Sequence, residues 1–241
     1  MLGAARTGAW AKSGSPTPAA YGGLRFTAEA DNSTVQLTAV GSAPAVTLVK
    51  SFDGVNWEDY AVGEVIELPS IGDFVYLAAG EGGNETFASS SSIYNRFVIN
   101  GLVAASGDIT SLRRFDLIQT PLAAHCYRNM FYGCTGLTSA PELPATTLAV
   151  NCYGSMFYDC TGLTRAPELP ATTLANLCYS YMFYGCTSIS LIKVHFTAWG
   201  TQTSDWVSNV PSTGTFYKPS ALPDEFSTDR IPTGWTVVNI D

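Results

Sequence analysis

The feature that most constrains the fold is a repeat in the second half of the chain. The segment that begins at Cys126 reads CYRNMFYGCTGLTSAPELPATT, and the segment that begins at Cys152 reads CYGSMFYDCTGLTRAPELPATT. A third copy, CYSYMFYGCTSISLIKVHF, begins at Cys178 and then diverges, so the copies start 26 residues apart. A unit of this length cannot bury a hydrophobic face alone, and neighbouring units stack to form a shared core. The sequence therefore predicts a stack of three coils over residues 122–193.

The period and composition of the repeat are typical of leucine-rich repeats, which have about 20–29 residues and carry Leu, Asn or Cys at fixed positions. On a helix, Cys126 and Met130 share one face, and Tyr127 and Phe131 lie beside it. Gly133 follows where the end of a helix requires positive φ. Each copy is therefore predicted to contain a short helix followed by an extended segment, LTSAPELP in the first copy.

The pattern C-Y-x-x-M-F-Y-x-C-T-x-L-T is similar to the BspA-like leucine-rich repeats of bacterial surface proteins, whose consensus reads I-G-x-x-A-F-x-x-C-x-x-L-T-x-I. In that alignment Cys126 stands where the family has Ile and Met130 where it has Ala, while Phe131, Cys134 and Leu137 match directly. The resemblance implies that these side chains point inward. The whole arrangement, including ELPATTLA and a final TGTFYKP…IPTGWTV, also resembles proteins encoded by gut Bacteroidales and their bacteriophages.

One departure from the family concerns the extended segment. Pro141 and Pro167 lie in or near the predicted strand and cannot donate a backbone hydrogen bond. The parallel sheet should therefore be short or irregular. The expected fold class is mainly β with short helices: an N-terminal β-sandwich, a short leucine-rich-repeat solenoid and a C-terminal cap.

The first half of the chain has the pattern of a β-sandwich. Apolar and polar residues alternate in LRFTAEA, TVQLTAV and VTLVKSF, and further candidate strands are WEDYAV, EVIEL, DFVYLAA and RFVINGLVAAS. Short turn sequences such as DNS and PSIGD separate them. Many short strands at this spacing predict an immunoglobulin-like sandwich over residues 23–109, although the Cys–Trp–Cys signature of antibody domains is missing. Within it, SFDGVNWEDY is interpreted as a hairpin with Asp53 and Gly54 in the turn, the alternative being a calcium loop.

Three further segments complete the predicted organisation. Residues 1–22, rich in Gly, Ala, Ser and Pro, are predicted to be either an arm that docks on a partner or a plain tail. Residues 110–121 form a connector. Residues 194–241 no longer follow the repeat and are predicted to cap its open end.

Charge and hydropathy exclude several classes of partner. The net charge is −8 and the 12 Lys and Arg residues are scattered, so the basic surface of a nucleic-acid-binding protein is missing. No apolar run is long enough for a membrane span. The N-terminal sequence has no apolar block of the secretory type, and the chain is therefore expected to be made in the cytoplasm, where thiols stay reduced.

All six cysteines lie in the repeats, and three roles are open to them. Equivalent positions in stacked coils lie about 4.8 Å apart, so the cysteines should form two inward columns. A disulfide is sterically allowed, but each column has an odd number of thiols. Zinc would require closer cysteine pairs or nearby histidines. The favoured interpretation is a structural ladder of buried thiols, with no metal. The two columns are Cys126, Cys152 and Cys178, and Cys134, Cys160 and Cys186.

No catalytic residue, metal or cofactor is predicted, and the protein is expected not to be an enzyme. His125 aligns with Asn151 and Leu177 in the other copies, which is typical of a variable surface position. Glu142 and Glu168 are equivalent and should lie on an outward, solvated column. The candidate binding residues follow the inward Phe of each copy and should form an aromatic strip for a sugar or a protein; alternatively their rings lie flat over neighbouring coils. These residues are Tyr132, Tyr158 and Tyr184.

Two hypotheses of function follow. The first is a structural protein of a bacteriophage virion, such as a head fibre, a decoration protein or a tail-associated fibre. Its N-terminal arm would bind other virion proteins, and its solenoid would face outward to contact a host-surface glycan or protein. The second is a BspA-like adhesin or host-interaction protein on the bacterial cell surface. Homo-oligomerisation stays open, since fibres are often trimers but no heptad pattern is present.

Overall fold

The computed structural model describes residues 23–116 and 121–240. The predicted docking arm (1–22) lies outside these residues, as do positions 117–120 of the predicted connector. This described part of the chain is mainly β, with 29% strand, 3% helix and no helix of seven residues or more. Within the described ranges, no helix is long and apolar enough to cross a membrane.

Eight strands form two sheets in the N-terminal region. One sheet has the order β4-β3-β6-β1-β8 and the other the order β5-β2-β7, and neighbouring strands within these orders are antiparallel. The inward residues of both sheets, among them Phe26, Leu37 and Phe97, are fully buried in one core. Every strand overlaps one of the predicted segments, and only β2 and β7 begin before theirs, at Ser33 and Tyr94. The strands are β1 (Arg25–Ala28), β2 (Ser33–Val40), β3 (Leu48–Ser51), β4 (Glu58–Tyr60), β5 (Val65–Leu68), β6 (Phe74–Ala79), β7 (Tyr94–Asn100) and β8 (Val103–Ser106).

The segment around Asp53 forms the connection of the β3–β4 hairpin. The carboxylate of Asp53 accepts hydrogen bonds from the backbone N–H of Asn56 at 2.7 Å and of Val55 at 2.8 Å. These two bonds, that of Asn56 first, hold the pKa of Asp53 well below its usual range. The carboxylate is therefore used to close its own loop, which accounts for an acidic residue at this turn.

The β-sandwich is bonded directly to the first repeat. Strand β9 (Leu137–Ser139) lies in the first copy and adds to the larger sheet by parallel pairing with β8. The N–H of Phe87 donates to Cys126 O at 2.9 Å, and that of Phe97 donates to Met130 O at 2.7 Å. Between the two regions, the start of the predicted connector forms a buried 3₁₀ helix, Ile109–Leu112. The sandwich therefore covers the open end of the coil stack and shares its core.

Within each coil, backbone N–H groups alternate between two kinds of partner. The N–H groups of Tyr127 and Phe131 donate to the next coil, at Cys152 O (2.8 Å) and Met156 O (2.9 Å). Asn129, between them, does the same at Gly154 O (3.1 Å), whereas Arg128 and Met130 donate three positions back in their own coil, Met130 to Tyr127 O at 3.2 Å. An α-helix would direct every N–H to its own carbonyl four residues back. This side of each coil is therefore a run of turns, and the helices predicted within the copies are wrong.

The turns need a left-handed residue at every fourth position. Gly133 has a positive φ, as the sequence indicated, but so do two further positions in each copy. Their φ angles lie between 53° and 72°. The nine residues are His125, Asn129 and Gly133, then Asn151, Ser155 and Asp159, then Leu177, Tyr181 and Gly185. A turn repeated every four residues places i and i+4 on one face, as a helix does, and this shared period explains the wrong prediction.

The strand side of the stack is irregular, as Pro141 and Pro167 led us to expect. The second copy forms no strand; it is bonded to the third through isolated contacts such as Leu169 N to Lys193 O at 3.1 Å. Regular parallel pairing resumes with three strands in the order β10-β11-β12. These strands are β10 (Leu191–Lys193), β11 (Thr215–Lys218) and β12 (Thr236–Asn239).

The C-terminal region continues the stack rather than only covering it. The N–H of Phe183 donates to Trp206 O at 2.8 Å, and that of Gly185 donates to Ser208 O at 2.9 Å, in the same alternation as between earlier coils. Ile192 pairs with Phe216, and Phe216 pairs with Val237, so the spacing contracts from 26 residues to 24 and then 21. Because these last coils do not share the 26-residue period, the repeat pattern in the sequence did not predict them.

The left-handed backbone of Leu177 offers a test of the turn structure. An L-residue other than Gly, Asn or Asp is disfavoured in this conformation by about 1–2 kcal/mol. Leu177 is only half-buried and aligns with Asn151. We expect Leu177→Asn to raise the free energy of unfolding by about 0.5–1 kcal/mol, measured by urea denaturation. Leu177→Gln, which is equally polar without the same preference, is the control. A helix at this position would make Gln the better residue, and an advantage of Gln would contradict the turn structure.

Candidate functional site

The six cysteines lie in two columns inside the stack, and none forms a disulfide. All are buried, with no more than 1% of any side chain exposed. In the column of Cys134, Cys160 and Cys186, each thiol donates to a carbonyl of the preceding layer. The acceptors are Phe97 O at 3.2 Å, Phe131 O at 3.0 Å and Phe157 O at 3.0 Å. Cysteine here combines the volume of a small apolar residue with a weak donor, a role that the sequence did not reveal.

Burial also suppresses thiolate chemistry. Desolvation raises the pKa of Cys126, Cys134 and Cys152 to about 12, and it raises those of the remaining thiols as well. A nucleophilic or metal-binding cysteine must be an accessible thiolate. Among residues 23–116 and 121–240, no group of three His, Cys, Asp or Glu side chains is placed to hold a metal ion. The columns therefore contribute packing to the molecule.

Two aromatic columns fill the interior beside the thiols. Phe131, Phe157 and Phe183 stack with ring centroids 5.4 and 5.8 Å apart. The inner tyrosine column (Tyr127, Tyr153, Tyr179) stacks at 5.7 and 6.1 Å, and its rings are fully buried. The hydroxyl of Tyr127 donates to Ile109 O at 3.4 Å, whereas the hydroxyl of Tyr153 is buried without a partner.

The candidate binding residues Tyr132, Tyr158 and Tyr184 form a third column, which we call the outer tyrosine column. Their rings are half-buried and stack nearly parallel, with centroids 4.7 and 4.6 Å apart. Because the rings cover one another, both faces of Tyr158 are occupied. Burial, followed by the nearby charge of Asp159, raises the pKa of Tyr158. The column therefore presents ring edges rather than ring faces, and no face of Tyr158 is open to a sugar ring.

The two histidines lie in different settings. His125 is half-buried with a positive φ, and burial followed by Arg128 lowers its pKa. His195 contacts Glu168 at 2.6 Å, and Lys193 contacts the same carboxylate at 2.9 Å. Chiefly through its hydrogen bond, Lys193 lowers the pKa of Glu168. Glu168 is exposed as expected, but it is paired with Lys193 and His195 of the third copy.

The pKa shifts of the thiols predict a loss of stability at high pH. An unfolded thiol ionises near pH 8.5, whereas the folded thiols of Cys126, Cys134, Cys152 and Cys178 have pKa values of about 12. Below the unfolded pKa both states keep their protons and full stability is present. As the pH rises above it, only the unfolded chain loses protons, and the free energy of unfolding falls by up to about 1.4 kcal/mol per pH unit for each thiol. Urea denaturation at pH values from 7 to about 10 measures this slope.

The matched control is Cys178→Ala, which should reduce the slope above the unfolded pKa by the contribution of one thiol. Ellman's reagent should react with none of the cysteines in the native protein and with all six after denaturation. A stability that is flat between about pH 8 and 10 would mean that the thiols are ionised or exposed in the folded state.

The unpartnered hydroxyl of Tyr153 gives a second prediction. A buried hydroxyl without a hydrogen bond costs about 1–3 kcal/mol, so Tyr153→Phe should leave the free energy of unfolding unchanged or raise it. Tyr127→Phe, at the equivalent position, removes a hydrogen bond and should lower it by up to about 1 kcal/mol. Thermal and urea unfolding of both variants make the comparison. Greater damage from Tyr153→Phe than from Tyr127→Phe would show that the Tyr153 hydroxyl has a partner.

No protein-family model, curated protein or solved structure matches this chain.

Proposed function

We propose that the protein is a non-enzymatic structural and attachment component of a bacteriophage particle, such as a head fibre, a decoration protein or a tail-associated fibre. The observation that carries the proposal is the series of backbone hydrogen bonds that joins the β-sandwich, the three copies and the C-terminal coils. Such a stack is rigid, and its interior is filled by thiols and aromatic rings that have no access to solvent. It suits the presentation of a surface at a distance from an anchoring point.

The repeats are proposed to be a BspA-like leucine-rich-repeat solenoid in which turns replace the helices. The 26-residue spacing and the inward positions of Cys126, Phe131, Cys134 and Leu137 support this relation. Against it stands the turn side of each coil, because the apolar spacing of the repeat predicted a helix there. The strand side supports the relation, because strands pair in parallel there: β8 with β9, and β11 with both β10 and β12.

In this proposal residues 1–22 bind other virion proteins, and the repeat stack faces outward to contact a glycan or a protein of the host surface. The second candidate is an adhesin on the bacterial cell surface. The similarity of the segment 126–138 to repeats of bacterial surface proteins is the observation that favours it. Both candidates use the same rigid stack, and they differ in what the stack is attached to.

The location of the protein tests the proposal. Antibodies against the purified chain should label particles in immunogold micrographs of a lysate of cells that carry the gene. The protein should also sediment with those particles in a density gradient. Label on the surface of intact cells that release no particles would overturn the virion assignment in favour of the adhesin. A protein found only free in the lysate would overturn both.

A truncation tests the role of the arm. Removal of residues 1–22 should abolish incorporation into particles, measured as co-sedimentation of tagged protein. The full-length chain with Glu142→Gln is the control, because Glu142 is exposed in the repeats and should not affect incorporation. Normal incorporation of the truncated protein would show that the arm does not dock.

A further inference from the structure

A polar cavity lies at the beginning of the last three parallel strands. Its volume is about 530 Å³, and its lining includes the first residues of β10, β11 and β12. The polar residues that line it are Arg165, Ser190, Thr213, Thr215 and Thr236. Nothing in the sequence pattern marked these residues, because they come from the second copy, the third copy and the C-terminal coils.

Stacking brings the lining residues together. Leu191 pairs with Thr215, and Thr215 pairs with Thr236, so these positions lie side by side about 4.8 Å apart. Arg165 stands one coil earlier, at the position that Leu191 occupies in the third copy. One guanidinium and a row of threonine hydroxyls therefore face the same space.

Two lining positions are glycines, which leave part of the cavity wall without side chains. Gly214 cannot be replaced, since a Cβ there would lie 2.6 Å from the ring of Trp235. Gly234 has a φ of 89°, and a Cβ would lie 2.5 Å from Ser212 O. The packing of the last coils thus enforces small residues at the cavity.

The cavity carries local positive charge in an acidic protein. Within the part of the chain that the structure describes, no carboxylate pairs with Arg165. Lys193 projects from the same face of β10 as Leu191, and its partner Glu168 is shared with His195. The net charge of the chain is −8. An exposed, unpaired arginine in this setting favours an anionic ligand.

We propose that this cavity binds an acidic saccharide, a sugar that carries a carboxylate or a sulfate. Arg165 pairs with the anionic group, and the hydroxyls of Thr215 and Thr236 bond to the hydroxyls of the sugar ring. Tyr217 lies two residues beyond Thr215 on the same face and is half-exposed, so its ring is available to stack on a second sugar. The proposal rests on the attachment function above and specifies the class of its receptor.

Binding of defined sugars to the purified full-length chain tests this inference by calorimetry. N-acetylneuraminic acid and glucose 6-sulfate represent the two anionic groups, and glucose is the neutral probe. We expect at least one acidic sugar to bind and glucose not to bind. Inorganic sulfate separates a saccharide site from a bare anion site: equal affinity for sulfate and for the sugars would overturn the proposal, as would equal binding of glucose.

The variant Arg165→Ser places at this position the residue that the first copy has at Ser139, so the stack should tolerate it. It should weaken the binding of the acidic sugar by about tenfold or more, with an unchanged melting temperature. Glu142→Gln, on the exposed surface of the first copy, should bind as the parent does. Unchanged affinity of Arg165→Ser would overturn the assignment of the cavity.

The two proposals can fail separately. Particles that carry Arg165→Ser and adsorb to host cells as well as the parent would overturn the cavity and leave the attachment function standing. A purified chain that binds acidic sugars through Arg165, but is absent from particles and cell surfaces, would support the site and overturn the attachment function.

Discussion

The hydrogen bond between the backbones of successive coils is the interaction on which the rest of the structure depends. On the turn side, alternate N–H groups leave their own coil and donate to the next, as Tyr127 does to Cys152 O at 2.8 Å. The coils are thereby held at the spacing of β-strands, about 4.8 Å, on the side where a helix would require about 8–10 Å.

That spacing decides which side chains the interior can hold. Equivalent residues lie directly above one another, so each inward side chain must pack against the equivalent side chain of the next coil. Flat rings satisfy this condition by stacking, as Phe131 and Phe157 do at 5.4 Å with an angle of 10° between their planes. Thiols satisfy it because they are small, uncharged and able to donate to a carbonyl of the layer before. Ionised groups would repel one another along such a column.

Much of this could be predicted from the sequence. The 26-residue period gave the stacking, and the apolar positions gave the inward columns, since Cys126, Tyr127, Met130 and Phe131 are all buried. The helix could not be separated from the turns, because both place residues i and i+4 on one face. The asparagines at 129 and 151 were the available signal, since Asn tolerates positive φ, but Tyr181 and Leu177 at equivalent positions obscured it. The cavity escaped prediction because its residues meet only across coils of unequal length.

A strict repeat has a consequence for function. Identical copies produce uniform columns, and a specific site requires positions at which the copies differ. The first two copies differ at six positions, and five of these lie on the turn side, between residues 124 and 133 in the first copy. The sixth replaces Ser139 by Arg165 on the strand side, beside the coils whose spacing contracts. The strand side thus loses its uniformity at the point where an unpaired cation faces hydroxyls from the last strands. The outer tyrosine column presents the same ring edge in all three copies, so it offers little to distinguish one ligand from another. A binding site that discriminates among ligands is more easily built where the copies differ, as they do at Arg165.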